Sequence, residues 1–155
     1  MPSIKNKHFP RGIEVTGGAV IENNKGEILL TKSPKWKGKW VMPGGHVEIG
    51  EKLMDAVARE GKEETGLILK TIGIVSWGEL ICSKDFFRRA HFIYFDVHCK
   101  VVRGKIKLLK EELSEWKWVK PKEALKLDLA ESYDKTIKDF MAYKQGKSPV
   151  AGKFR

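Results

Sequence analysis

One stretch of helical period, from Glu51 to Thr65, interrupts a chain whose other apolar segments up to residue 121 read as strands. That contrast limits the fold more than any other feature. At 100° per residue, with Glu60 at zero, Leu53, Val57, Gly61, Met54 and Ala58 span about 20° to 160°, a single apolar stripe that has to lie on a sheet. Gly66 closes the helix. "IEVTGGAVIEN" (13–23) is rich in β-branched residues and reads as a strand; "NNKG" (23–26) is turn chemistry, and "EILLTK" (27–32) returns. "SPKWKGK" (33–39) reads as a loop and "WVMP" (40–43) as a short extended piece stopped by Pro43. "TIGIVSWGELIC" (71–82), "AHFIYFDVHCKV" (90–101) and "SEWKWVKP" (114–121) read as strands, the second apolar enough to be buried on both faces. Residues 123–144 carry one or two amphipathic helices. The fold class expected is α/β, a sandwich around a mixed sheet within one domain of 155 residues.

The end of the central helix breaks a local rule. "REGKEETG" (59–66) places Glu60, Glu63 and Glu64 within five residues, and Glu60 and Glu64 are an i,i+4 like-charge pair that weakens a helix by a few tenths of a kcal/mol. On the wheel the three acids fall at about −60°, 0° and 40°, beside the apolar stripe rather than opposite it. Carboxylates at i, i+3 and i+4 on one arc form a site for a hard divalent cation such as Mg²⁺, which prefers oxygen ligands and also binds substrate phosphates. The same residues also describe a solvated acidic helix end paired with lysines such as Lys62.

The segment "GGHVEIGEKLMDAVAREGKEETGL" (44–67) settles that choice, because it resembles the signature box of the Nudix hydrolases. Gly45 is followed after five residues by Glu51, and seven more lead to Arg59-Glu60, then Glu63-Glu64, then Gly66-Leu67. The preceding "WVMPGG" and the later "LSEWKWV" are similar to family segments too. The resemblance spans roughly 13–143 and implies a Nudix-type α/β/α sandwich, with 1–12 and 144–155 left as flexible basic tails. It implies Mg²⁺-dependent hydrolysis, with Mn²⁺ as a substitute, of a nucleoside di- or triphosphate derivative by water attack on phosphorus. In that reading Glu60, Glu63, Glu64 and the Gly45 carbonyl hold metal, Arg59 orients the carboxylates, Glu51 joins through water, and the catalytic set is Arg59, Glu60, Glu63 and Glu51. Glu111 or Glu112, in the loop before the last strand, supplies a further carboxylate. One position departs: Gly61 stands where the family has an aliphatic residue, which costs about 1 kcal/mol in the helix and marks a close approach of helix and sheet.

Among the remaining residues, Lys32, Lys35, Lys37, Lys39 and His46 are candidates for phosphate contacts, with Lys32, Lys39 and His46 foremost. Trp116 and Trp118, and less so Phe86, Phe87 and Trp77, are candidates for base stacking. His91 and His98 read as strand packing. The net charge of +10 calls for an anionic partner, but seven of those charges lie on the tails, on Lys5, Lys7, Arg11, Lys144, Lys147, Lys153 and Arg155. A small-molecule nucleotide is the expected partner, and a MutT-like triphosphatase the leading reading. ADP-ribose and dinucleoside polyphosphate hydrolysis are the alternatives within the class. An RNA-binding module, or a pyrophosphohydrolase of RNA 5′ ends, is the alternative outside it. With no apolar run near the roughly 18 residues of a span and two cysteines, Cys82 and Cys99, in no metal or redox spacing, the expectation is no membrane, a cytoplasmic location, and a monomer or homodimer.

Overall fold

The computed structural model describes Phe9, residues 11–109 and residues 111–147. Its elements are β1 (Ile13–Glu22), β2 (Ile28–Lys32), a 3-10 turn (Pro34–Trp36), β3 (Trp40–Val41), β4 (Gly44–His46), α1 (Leu53–Thr65), β5 (Ile68–Ile81), β6 (His91–Arg103), β7 (Glu115–Val119), α2 (Pro121–Ala124) and α3 (Tyr133–Lys144). The strands form one sheet in the order β3-β2-β1-β6-β5, with β4 added to β1 and β7 to β2. It is mixed, as expected: β1 and β6 run parallel, Ile13 opposite His91 through Glu22 opposite Lys100, and the other pairings are antiparallel.

Alternation along β1 builds the two faces. Ala19 and Ile21 face one way and join Leu29, Val57, Leu67, Leu69 and Val97 beneath α1. Val20 faces the other way and joins Leu30, Trp40, Val75, Ile137 and Phe140 beneath α3. The result is the Nudix-type α/β/α arrangement. A buried ion cluster ties α3 to the sheet: Glu22 Oε1 lies 2.9 Å from His98 Nε2 and 2.6 Å from Lys100 Nζ, and Lys144 Nζ reaches Glu22 Oε2 at 3.0 Å. Lys144, expected in the C-terminal tail, is therefore the last residue of a helix and holds a buried partner. His98 is strand packing, as expected, whereas His8 and most of both tails lie outside the described residues. Among the described residues no helix is long and apolar enough to cross a membrane.

Two elements differ from expectation. β4 arises where the sequence shows only "PGGH"; Gly44 and Gly45 have no β preference of their own, and pairing with Gly18 and Gly17 imposes the extended form. α1 starts at Leu53, two residues after Glu51, because the backbone at Lys52 is extended (φ −75°, ψ 145°), and the Glu51 side chain bonds Arg59 from outside the helix.

Candidate active site

The acidic end of α1 packs against β4, and the double glycine is what lets it do so. A side chain added at Gly45 would place its Cβ 2.4 Å from Glu60 Cδ and 2.6 Å from both carboxylate oxygens, so the Glu60 carboxylate occupies the volume that any other residue at 45 would fill. One residue earlier, the Gly44 amide donates to Glu64 Oε2 at 3.0 Å. β4 in turn lies close against β1, where a Cβ at Gly44 would meet the Gly17 carbonyl oxygen at 2.6 Å. Glycines on both strands thus bring backbone and carboxylates together.

Arg59 organises the cluster. Its Nε and Nη2 hold Glu51 in a two-pronged pair at 2.7 and 2.9 Å. Its Nη1 donates to Glu60 Oε1 at 3.0 Å and Glu63 Oε2 at 3.3 Å, and Nη2 also reaches the His46 carbonyl at 3.1 Å. This pairing holds the Glu51 carboxyl below the usual range. Glu60 moves the other way, raised by burial despite Arg59. Glu64, 6% exposed, forms no ion pair among the described residues; burial, opposed by the Gly44 amide and reinforced by Glu60 and Glu112, pushes its carboxyl up to about 9. Glu112 stands against Glu64 and within electrostatic reach of Glu60, whereas Glu111 is exposed on the turn. Among the described residues, no three acidic, histidine or cysteine side chains are already closed around one point. What the chain offers is an all-oxygen donor set around Gly45, with more negative charge than Arg59 balances, and that chemistry suits Mg²⁺.

Beside the double glycine, on the α3 side of the sheet, opens a pocket of ≈ 140 Å³. Gly44, Gly45 and His46 form one wall, and Trp36, Phe86, Phe92, Tyr94 and Tyr133 form the others. Trp36 and Phe86 have centroids 4.6 Å apart, Phe86 and Phe92 5.1 Å, and Trp36 stands edge-on to Tyr133 at 6.2 Å. The loop carrying Phe86 is fastened to the 3-10 turn: the Phe87 amide donates to the Lys35 carbonyl, and Lys37 Nζ donates to the Lys84 carbonyl. It is fastened to the sheet by Arg88, which forks onto buried Glu14 at 2.6 and 2.8 Å and lies over the Phe86 ring. His46 Nε2 completes that group, 2.7 Å from Glu14 Oε1. Arg88 first, and then His46, holds the Glu14 carboxyl down at about 2 against its burial.

The structure therefore gathers Glu51, Arg59, Glu60, Glu63, Glu64, Gly45 and Glu112 in one place, with His46 between them and the pocket. It does not bring Lys32 or Lys39 to the pocket wall: Lys32 bridges to Glu115 at 3.2 Å, and Lys39 to Asp85 at 3.1 Å and Asp128 at 3.8 Å. Lys35 lines the pocket instead. Of the stacking candidates only Phe86 lies there; Trp116 and Trp118 line a separate surface hollow with Glu22 and Leu67. Trp36, Phe92, Tyr94, Asp96 and Tyr133 are pocket residues that the sequence did not single out. Asp96 had a readable signal, a lone acid inside an apolar strand, and Trp36 another, a large aromatic inside a basic loop. Gly61 does mark close packing, but against the side chain of Leu69, whose Cδ1 would lie 2.4 Å from an added Cβ, and not against sheet backbone.

Comparison with known proteins agrees with this geometry. The NUDIX domain family matches residues 13–140. An ADP-ribose pyrophosphatase of Methanocaldococcus jannaschii is 34% identical over 129 residues, 83% of this chain and 73% of that protein. A nucleoside triphosphatase of Escherichia coli, NudI, is 30% identical over 125 residues, 74% of this chain and 88% of that one. The crystal structure of a MutT protein from Methanosarcina mazei superimposes with a TM-score of 0.73 at 27% identity, over 86% of this chain and 96% of that one. With the glutamates, the arginine and the double glycine of the box assembled at one site, the chain belongs to the NUDIX domain family and is a MutT-like Nudix hydrolase.

Proposed function

We propose that the chain is a Mg²⁺-dependent pyrophosphohydrolase of nucleoside triphosphates, standard or oxidised, and that it cleaves a phosphoanhydride bond by attack of water on phosphorus. The observation that carries this reading is the adjacency of an oxygen-lined acidic cluster and an aromatic pocket across one strand, Gly44–His46. A base lies between the aromatic walls, and the phosphates cross the double glycine towards Glu60 and Glu64. Glu60, Glu63, Glu64 and the Gly45 carbonyl would hold Mg²⁺, or Mn²⁺ in its place, and the ion would supply neutralisation of charge on the pyrophosphate oxygens. Arg59 keeps Glu51, Glu60 and Glu63 in position while the cluster is uncompensated. Glu112, set against Glu64 from a different segment, takes the proton from the attacking water. Both cysteines are free thiols, which supports a reducing compartment such as the cytoplasm.

The similarity to an ADP-ribose pyrophosphatase favours a second reading, in which the same site takes ADP-ribose. A product assay with Mg²⁺ over nucleoside triphosphates, ADP-ribose and dinucleoside polyphosphates separates them. Monophosphate plus pyrophosphate from a triphosphate supports the first reading. AMP plus ribose 5-phosphate supports the second, and no turnover of any member refutes both.

A further inference from the structure

The aromatic pocket holds one buried carboxyl group that the hydrolytic chemistry does not use. Asp96 sits mid-strand in β6, 4% exposed, opposite Gly18 in the parallel pair with β1. Its Oδ2 accepts from Thr136 Oγ1 at 2.6 Å. Its Oδ1 lies against Gly18, where an added Cβ would approach it to 2.2 Å, and both residues line the pocket. Among the described residues no hydrogen bond to Oδ1 is seen, and Asp96 lines the pocket, so this oxygen is open to the cavity rather than sealed in the core. A polar side chain more than nine-tenths buried, gripped on one oxygen and free on the other, at the floor of a cavity with aromatic walls, is arranged to meet a hydrogen-bond donor on a flat ligand.

Resting on the reading of the site as a nucleotide hydrolase, we propose that Asp96 is the residue that selects the base, and that it selects bases carrying an exocyclic amino group over their keto counterparts. Adenine and cytosine present an N–H₂ donor where hypoxanthine and uracil present a carbonyl oxygen at the same ring position. The amino group satisfies Oδ1, while the keto oxygen faces a carboxylate and leaves a buried acceptor unpaired. Burial, eased by Thr136 and by Lys135, pushes the carboxyl up only to about 6, so at pH 8 Asp96 is an anionic acceptor. The other ionisable neighbours are Asp139, Tyr94 and Tyr133. The glycine opposite it has the matching role: any side chain at 18 would displace Oδ1 from the floor.

The test compares kcat/KM at pH 8 for ATP against ITP and for CTP against UTP. Wild type should favour the amino member of each pair by about 10-fold or more. Asp96→Asn should invert the preference, because its amide oxygen takes over the bond from Thr136 and its N–H₂ turns to the pocket. Asp96→Ala should bring both ratios near one. It is the safer variant for folding, since the Thr136 hydroxyl keeps a second acceptor in the Ser132 carbonyl at 3.3 Å. Wild-type ratios near one, or wild-type ratios retained in either folded variant, would overturn the proposal. If wild type turns over no triphosphate, the hydrolase reading has failed on its own, and binding of AMP against IMP, read by Trp36 fluorescence, still decides the role of Asp96. Equal affinity for the two monophosphates overturns it, and a preference for AMP lost in Asp96→Ala sustains it.

Discussion

Replacing Glu64 by Gln should make the metal-free protein more stable and the enzyme inactive. The carboxyl is buried, forms no ion pair among the described residues, and is pushed up to about 9 from an ordinary 4.5, chiefly by desolvation. The folded chain therefore holds a proton that the unfolded chain has released, at every pH between these two values. Stability then falls as pH rises from 4.5 towards 9 and changes no further above it. At 1.36 kcal/mol per unit, the cost accumulated by pH 7 is at most ~3 kcal/mol. Gln has the same shape and can still accept from the Gly44 amide, so Glu64→Gln removes the charge without opening a cavity. In EDTA at pH 7 the variant should melt about 6–12 °C higher than wild type, and the gap should close near pH 4.5. Mg²⁺ should raise the melting temperature of wild type and do little for the variant, whose kcat should be at least about 100-fold lower. A Gln variant that melts below wild type in EDTA at pH 7 would refute the argument, since Glu64 would then be a satisfied anion.

Glu63 is half exposed and, among the described residues, its ion pair is with Arg59, so Glu63→Gln should leave the melting temperature within about 2 °C and still lower kcat by at least about 100-fold; near-normal turnover at saturating Mg²⁺ would remove it from the metal set. Gly61→Ala adds up to about 1 kcal/mol of helix preference but pushes on Leu69 Cδ1, a movable methyl in a buried side chain, so a net loss of about 1 kcal/mol with activity within threefold is expected from thermal melts and kinetics. Deleting residues 1–8 and 148–155 should change kcat/KM for a small nucleotide by less than about threefold; a tenfold loss that vanishes at high salt would show that these segments steer substrate. If RNA is the ligand instead, log Kd should rise steeply with log salt, with a slope near 0.7 per phosphate contacted, whereas nucleotide binding should vary little.

The acidic half of the site was legible in the sequence because it is local. Glu51 to Gly66 lie on one helix and its lead-in, and fixed spacing there becomes fixed geometry. The aromatic pocket was not, because Trp36, Phe86, Phe92, Asp96 and Tyr133 come from four separate segments that only the tertiary fold brings together. β4 escaped notice since glycine has no strand preference and the pairing with β1 supplies the conformation. The lysines before the box looked alike in sequence, yet Lys39 is held by two aspartates and Lys32 by Glu115, while Lys35 reaches the pocket. Partners of that kind are set by loop packing, which leaves no periodic trace. Lys144 was assigned to the tail for the same reason: its reach to Glu22 is a long-range contact invisible in a run of charges.

The parallel pairing of β1 with β6 sets a timetable for the nascent chain. Ile13 waits for His91, and at roughly 5–20 residues per second the ribosome takes roughly 4–16 s to deliver it. During that interval β1 has no central partner, and the apolar face of α1, with Leu53 and Val57, has no finished sheet to cover. The catalytic helix is made long before the strand that bears Asp96, so the emerging chain carries its acidic cluster while the sheet beneath is incomplete. Such late, long-range closure predicts refolding on the millisecond-to-second scale rather than microseconds. It also predicts that a fragment ending at residue 90 binds hydrophobic dyes and chaperones, that the affinity falls once Arg103 is included, and that it disappears only when α3 covers Val20, Leu30 and Val75 on the other face.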